Sequence, residues 1–263
     1  MKQWPKHSAN WNRLGPPLRP APSVIQVMKQ AIPQGNVLML GVTPEIYQAF
    51  DNIQAVDRDQ SMIDRVWLGD TQTKKVTVGQ WMEMDWPANT FSGIVGDCAI
   101  PMLGNLETVT EFQQRCYHWL KPGGTVAFRL MERPEQDVTI RNLIDAVSGP
   151  ATMNFHAFKW RMGQCVAAWN RNSTAASADI RHLFQNLGFV KDHRGYLCYV
   201  TGWDIDAVDS IDLYENATQV VLFALRQEYQ DTIPPGAQNI TFTTNNDYDL
   251  ADYTPILTWS KPL

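Results

Sequence analysis

Apolar positions cluster first in two short runs, Val37–Leu40 and Ile53–Asp57, which flank a turn and one helical segment. A run apolar at every position suits a parallel strand covered by helices on both faces, so Val37–Leu40 predicts a central strand. Gly41 ends it where the backbone can take a conformation closed to other residues. Thr43, Pro44 and Glu45 then predict a helix start, as N-cap, first helical position and a carboxylate favoured by the helix dipole. The second run ends on Asp57, at the carboxyl end of the neighbouring strand, where ligands of open α/β sheets bind. An acid there can accept hydrogen bonds from both hydroxyls of a ribose.

The pattern extends in both directions. Upstream, Val24, Val27, Met28, Ala31 and Ile32 recur at helical spacing behind Ser23 as cap, and Pro33-Gln34-Gly35 stops that helix. Before it, residues 1–22 hold Trp4, His7, Trp11 and Arg13, then Gly15-Pro16-Pro17-Leu18-Arg19-Pro20-Ala21-Pro22, which excludes regular helix and central strand and predicts an extended arm. Downstream, residues 75–79 alternate as a strand, a fourth strand ends at Gly96-Asp97, residues 106–120 read as helix, and residues 125–131 read as another buried strand after a Lys121-Pro122-Gly123-Gly124 stop. Helical patterns follow at 137–147, from Phe155 to about Asn170, at 178–187 and at 217–229. Residues 239–244 and 255–259, joined through Asn246-Asp247-Tyr248-Asp249, predict a closing antiparallel hairpin.

Composition narrows the class. With 263 residues and 44% hydrophobic content, the chain can bury one sizeable core, which predicts one domain with an insertion. A net charge of −5 gives no long-range attraction for phosphate backbones, so nucleic acid is not an expected partner. Cys98, Cys116, Cys165 and Cys198 are widely separated and match no zinc-ligand spacing, which predicts free thiols and no metal. The start lacks an apolar signal core and residues 220–225 are too short to span a bilayer, so the expectation is a soluble, cytoplasmic protein without a membrane partner.

A strand, a glycine turn, a helix and a second strand ending in Asp57 resemble the cofactor site of class I S-adenosylmethionine-dependent methyltransferases. Two further stretches carry the resemblance: Trp86-Pro87-Ala88-Asn89-Thr90-Phe91-Ser92-Gly93-Ile94-Val95-Gly96-Asp97, and Leu120-Lys121-Pro122-Gly123-Gly124 before a strand. The chain departs from the family in its first turn, where Val42, Thr43 and Pro44 occupy places that often hold glycine, and at Gln80, where an acid is usual.

The resemblance implies a doubly wound, mostly parallel, seven-stranded α/β sheet with a terminal antiparallel hairpin and a helical insertion at about 150–215. Residues 1–35 are expected to form an arm and helix acting as a cofactor lid, and 36–263 the methyltransferase domain. It implies S-adenosylmethionine as cofactor; a small-molecule methyl acceptor is expected because an acidic chain with an insertion and a terminal arm suits a closed pocket better than an open groove. Gly41, Val42 and Thr43 would approach the methionine part, Asp57 and Arg58 the ribose end, Met62 the adenine face, and Gln80 and Trp81 the adenine edge and a second face. Asp97 and Cys98 would lie beside the transferred methyl, Asp97 as general base or as partner of the methionine ammonium. On the residues' own chemistry, Trp11 and Arg19 are expected to close over the cofactor, with Arg19 on its carboxylate. Lys159, Trp160 and Arg161 are expected to line the acceptor pocket. Two other readings use the same βαβ unit: a protein that binds S-adenosylmethionine without turnover, and a nicotinamide dehydrogenase. The dehydrogenase expects Gly-x-Gly-x-x-Gly and an acid about 20 residues on, a longer interval than that from Gly41 to Asp57.

Overall fold

The computed structural model describes residues 4–263, apart from the side chain of His7. The first three residues of the expected arm therefore lie outside the described residues, and the rest of it is not extended throughout: Trp4–Ala9 is helical and Trp11–Arg13 forms a 3-10 turn before the proline-rich stretch. Nine strands occur among the described residues: β1 Val37–Leu40, β2 Ile53–Asp57, β3 Lys74–Val78, β4 Phe91–Asp97, β5 Leu120–Arg129, β6 Thr174–Ala176, β7 Val220–Leu222, β8 Gln238–Thr243 and β9 Ile256–Ser260. The helices are α1 Trp4–Ala9, α2 Pro22–Ala31, α3 Pro44–Ala49, α4 Gln60–Val66, α5 Leu106–Trp119, α6 Ile140–Ala146, α7 Phe155–Asn170, α8 Ser177–Asn186, α9 Arg194–Thr201, α10 Ile205–Asp209 and α11 Arg226–Asp231.

Seven strands form one sheet in the order β3-β2-β1-β4-β5-β9-β8. β1 to β5 pair in parallel, while β9 runs antiparallel to both β5 and β8, so β8 points with the parallel set. The carboxyl ends of β1, β2 and β4 therefore open on one edge. β1 is buried at every position, as its apolar run requires. Alternate residues feed two layers. Leu38, Ile94, Val126 and Phe128 pack with Val109, Phe112 and Trp119 of α5. Met39, Val95 and Ala127 face the other way, onto Val24 and Met28 of α2 and Ile46 of α3. A third core joins α6 to α10 with the β6–β7 ribbon and covers the carboxyl edge of the sheet.

Some expected boundaries move. Residues 217–229 are not one helix: β-branched Val220 and Val221 pair with Thr174–Ala176, and helix begins only at Arg226, with the Glu228 carboxylate accepting the Leu225 N–H. Ser23 lies inside α2 instead of capping it, and its hydroxyl donates to Asp247. Thr43 precedes Pro44 at the helix start, yet its side chain makes no capping bond. The glycines after Pro122 form a bulge within β5 instead of a free turn. Phe91 pairs with Leu120 and Gly93 with Thr125, while Gly123 takes φ +75° and donates to the Lys261 carbonyl.

Gly163, inside α7, has no room for a side chain in this third core. A Cβ there would lie 2.5 Å from Cζ of Phe223 and 3.2 Å from Cδ1 of Ile180. Gly163→Ala should therefore destabilise the protein by about 1–3 kcal/mol through overpacking, despite the roughly 1 kcal/mol that alanine gains in a helix. A urea midpoint equal to or above that of the unmutated chain would show that Phe223 repacks freely.

Candidate functional site

A cavity of about 230 Å³ opens at the carboxyl ends of β1, β2 and β4. Its floor is Gly41-Val42-Thr43 after β1, Asp57-Arg58 ending β2, and Asp97-Cys98 ending β4. Met62 of α4 and Gln80-Trp81 after β3 form one side; Trp4, Trp11, Leu14 and Leu18 of the arm also line it. The far side comes from the insertion and its ribbon: Trp160, Ser177, Ile180, Tyr214, Val221 and Phe223. A second pocket, about 490 Å³, adjoins it and shares Trp4, Arg58, Gln80, Met102 and Leu103.

The floor follows from local geometry. Gly41 sits at φ +86°, its N–H donates to the Val56 carbonyl, and a Cβ on it would meet only Asp57 Oδ2, at 3.8 Å. The turn is thus sharp, glycine-dependent and open above. Asp57 Oδ1 accepts the Asp59 N–H at 2.9 Å. Burial pushes its carboxyl up to about 6, against the pull of that N–H. Arg58 donates to Gln219, whose own amide donates to the Met102 carbonyl at 3.1 Å, tying the end of β2 to the ribbon. Trp81 is fixed by its indole N–H on the Val56 carbonyl at 2.9 Å, and Gln80 donates to Glu83, which leaves its amide oxygen as an acceptor.

Asp97 is bound by Arg129, the last residue of β5, with Nε 2.5 Å from Oδ1. The Arg129 side chain is fully buried and that of Asp97 is 5% exposed, and the two terminal nitrogens of Arg129 have no hydrogen-bond partner. Burial raises the Asp97 carboxyl, opposed by Arg129. Cys98 takes φ +53°, a conformation uncommon outside glycine, and burial pushes its thiol up.

Among the expected cofactor residues, Trp11, Gly41, Val42, Thr43, Asp57, Arg58, Met62, Gln80, Trp81, Asp97 and Cys98 are brought together in this cavity, and Trp160 joins them. Arg19 is not: its guanidinium is held by Glu45, 3.0 Å from Nε, with Cζ 5.4 Å from the Trp11 ring centroid. Its charge is already answered inside the protein. Lys159 does not line the cavity either. It lies completely buried on the other side of α7, Nζ donating to Ser210 at 2.7 Å, and burial pushes its amine down to about 7. Arg161 donates to Gln164 and stacks 4.8 Å from the Tyr253 ring, away from the pocket. Adjacent helical residues point about 100° apart, so one of three neighbours can reach a given wall. Tyr196 is exposed and Trp203 packs inside the insertion core, its indole donating to the Met153 carbonyl.

Sequence reasoning missed Tyr214, Phe223 and Arg129. The first two arrive from segments distant in sequence and carry no local signal. Arg129 had one, a charge inside a strand otherwise read as buried.

No protein-family model and no curated protein matches the sequence. Solved structures do share its fold. An S-adenosylmethionine-dependent methyltransferase from Methanosarcina mazei aligns over 93% of this chain and 99% of its own, at 9% identity and a TM-score of 0.51. One from Mesorhizobium loti aligns over 91% and 96%, at 10% and 0.50. A Rhodobacter sphaeroides protein provisionally described as a Zn-dependent alcohol dehydrogenase aligns over 98% and 97%, at 12% and 0.60. At such identities these likenesses establish the fold alone. That fold is the class I methyltransferase fold: an antiparallel last strand inserted between the fifth strand and its parallel neighbour, where the dinucleotide-binding order 3-2-1-4-5-6 has none. Among the described residues, no group of three or more His, Cys, Asp or Glu is placed to hold a metal ion, and no helix is long and apolar enough to cross a membrane.

The raised Asp57 pKa has a thermodynamic sign. With a folded value near 6 against 3.8 for the free side chain, the native state binds the extra proton between those values. The folded state therefore loses stability as pH rises through this window, at up to about 1.4 kcal/mol per pH unit. Asp57→Asn should leave stability near pH 4 almost unchanged and raise it above pH 6 relative to the unmutated protein. Parallel melting temperatures for the two proteins from pH 4 to 7 would contradict the assignment.

Proposed function

We propose that the cavity binds S-adenosylmethionine and that the protein transfers its methyl group to a small-molecule acceptor. The observation that supports this most is the convergence of Gly41, Asp57 and Asp97 at the ends of adjacent strands of a class I methyltransferase sheet. The residues suit the group on two further counts. The turn at Gly41 has space where a side chain would stand, and Trp11 Nε1, on a ring that lines the cavity, is buried without a partner.

The roles follow from the donor and acceptor types. Asp57, ionised above about pH 6, accepts from the two ribose hydroxyls with its free Oδ2. Trp81 and Met62 offer apolar faces to the adenine, and the Gln80 amide oxygen accepts from its amino group. Asp97 is held by Arg129 and presents its second oxygen to the methionine ammonium, so its role is to position and not to remove a proton. The Trp11 N–H is the donor for the methionine carboxylate, in place of Arg19. When bound, the cofactor supplies an electrophilic methyl on a sulfonium whose departing thioether is neutral. The protein's share is therefore alignment and water exclusion, which the arm and the insertion provide by closing the cavity on two sides.

Calorimetry with S-adenosylmethionine and separately with NAD tests the reading: the first should bind and the second should not. Asp57→Ala should weaken binding at least tenfold, on the order of 1.5–3 kcal/mol for each charge-assisted bond lost. In the unmutated protein, affinity should fall as pH drops below about 6, since a protonated Asp57 donates where two acceptors are needed. Gly41→Val should abolish binding while the protein stays folded. Tight NAD binding, or affinity unmoved by either substitution, would overturn the proposal.

A further inference from the structure

We infer that the methyl acceptor is an aromatic compound whose acidic hydroxyl or thiol reacts as its own anion, an inference that rests on the methyl-transfer reading above. The insertion side of the cavity carries the argument. Trp160, Tyr214 and Phe223 with Met131, Ile180 and Val221 make a wall of rings and aliphatic groups, suited to a flat apolar molecule. Among the described residues, no carboxylate, imidazole or amine stands on that wall. Its polar groups are the hydroxyls of Ser177 and Tyr214, and burial pushes the Tyr214 phenol up to about 12, so neither takes a proton near neutral pH.

Two basic side chains lie behind the wall. Lys159 Nζ is 5.4 Å from the Tyr214 ring centroid, and Arg129 Cζ is 5.8 Å from that of Trp160. Neither cation lines the cavity, and each is covered by a ring that does. Among the described residues Lys159 pairs with no carboxylate and donates to the neutral Ser210 hydroxyl, while Arg129 is paired with Asp97 through Nε and keeps two terminal nitrogens without a hydrogen-bond partner. In a low-dielectric interior such charges act across a ring thickness. The Arg129 charge is balanced by Asp97, so the preference rests on Lys159: burial holds its amine near 7, and an anion across the Tyr214 ring draws the proton onto it, so that the two charges stabilise each other.

The step balances without a protein base. The acceptor leaves its proton in bulk water before it enters. A lone pair of its oxygen or sulfur forms the new bond to the methyl carbon as the carbon–sulfur bond breaks, and that electron pair stays on the departing sulfur. One anion and one cation become two neutral products, a change that an apolar, water-poor cavity favours.

4-Nitrophenol tests this directly, because its anion and neutral form absorb at different wavelengths. At a pH where about a tenth of the free probe is ionised, more than half of the bound probe should be anionic, as expected when nearby positive charge lowers an acid's pKa by one unit or more. Lys159→Met, checked for folding by its melting curve, should cut that bound anionic fraction at least twofold; Trp160→Ala should weaken probe binding itself. Thiophenol in the same titration separates sulfur from oxygen acceptors. A bound probe that is neutral, or no spectral change at millimolar probe with either compound, overturns the inference. Calorimetry with S-adenosylmethionine alone reports on the underlying reading separately: cofactor binding with a neutral bound phenol sinks the inference only, whereas an anionic bound phenol without cofactor binding sinks the methyl-transfer reading and leaves the anion site in place.

Discussion

The buried ion pair between Asp97 and Arg129 is the constraint around which the site is arranged. β4 and β5 pair in a register that sets these residues opposite each other at the last rung of the ladder. Their side chains therefore leave the sheet on the same face and in contact. Sealed from water, either charge alone would cost several kcal/mol, so the two persist only together. Arg129 reaches Asp97 through Nε and leaves its terminal nitrogens towards the Trp160 ring, so one guanidinium connects the sheet edge with the longest helix of the insertion. The Cys98 N–H donates to the Arg129 carbonyl at 3.1 Å just after the chain adopts φ +53°. The sharp exit from β4 is thus tied to β5 twice, by backbone and by charge.

Legibility in the sequence followed the range of the interactions involved. Val37–Leu40, Gly41 and Asp57 were readable because a buried parallel strand, a positive-φ turn and a strand-end acid each leave a local signature. The closing hairpin was readable for the same reason. Residues 217–229 misled because their apolar spacing suits a helix, while the deciding interaction, pairing of Val220 and Val221 with residues 174–176, is invisible locally. Lys159 and Arg161 misled for another reason: basic side chains beside Trp160 suggested a substrate pocket, yet helical geometry turns them to other faces, and burial and packing set which face meets the cavity. Arg19 was expected on the cofactor carboxylate and pairs with Glu45 instead, a partner the sequence hid because a first-turn carboxylate is also what the helix dipole favours.

The cavity is divided by charge as well as by origin. Its floor, from the sheet, holds the groups that can bond a polar ligand: Asp57, Arg58 and Asp97. Its far wall, from the insertion, exposes no charged group and keeps Lys159 and Arg129 behind aromatic rings. The polar groups of the cavity and its apolar rings thus stand on different walls. Different parts of the chain supply these walls, so the insertion can change what the far one accepts without disturbing the floor.

The arm is seated before any ligand arrives. Arg13 pairs with Asp206, Lys6 with Glu215 and Arg19 with Glu45, and the Asn154 amide donates to the Pro16 carbonyl at 3.1 Å. Leu14 belongs to the core of the insertion, and Leu18 packs against it. The exposed pairs are individually weak, but together with this apolar contact and a proline-stiffened chain they order the arm at its own expense. A roof already in place removes the ordering cost that a closing lid would charge against binding. The adjoining pocket shares Trp4, Arg58 and Leu103 with the cavity, and the bond from Arg58 to Gln219 joins sheet to ribbon there. In this arrangement Glu45 answers Arg19 and Arg129 answers Asp97, so among the described residues the arm meets the cavity with uncharged groups: two tryptophans and two leucines, with the Trp11 indole N–H unpartnered.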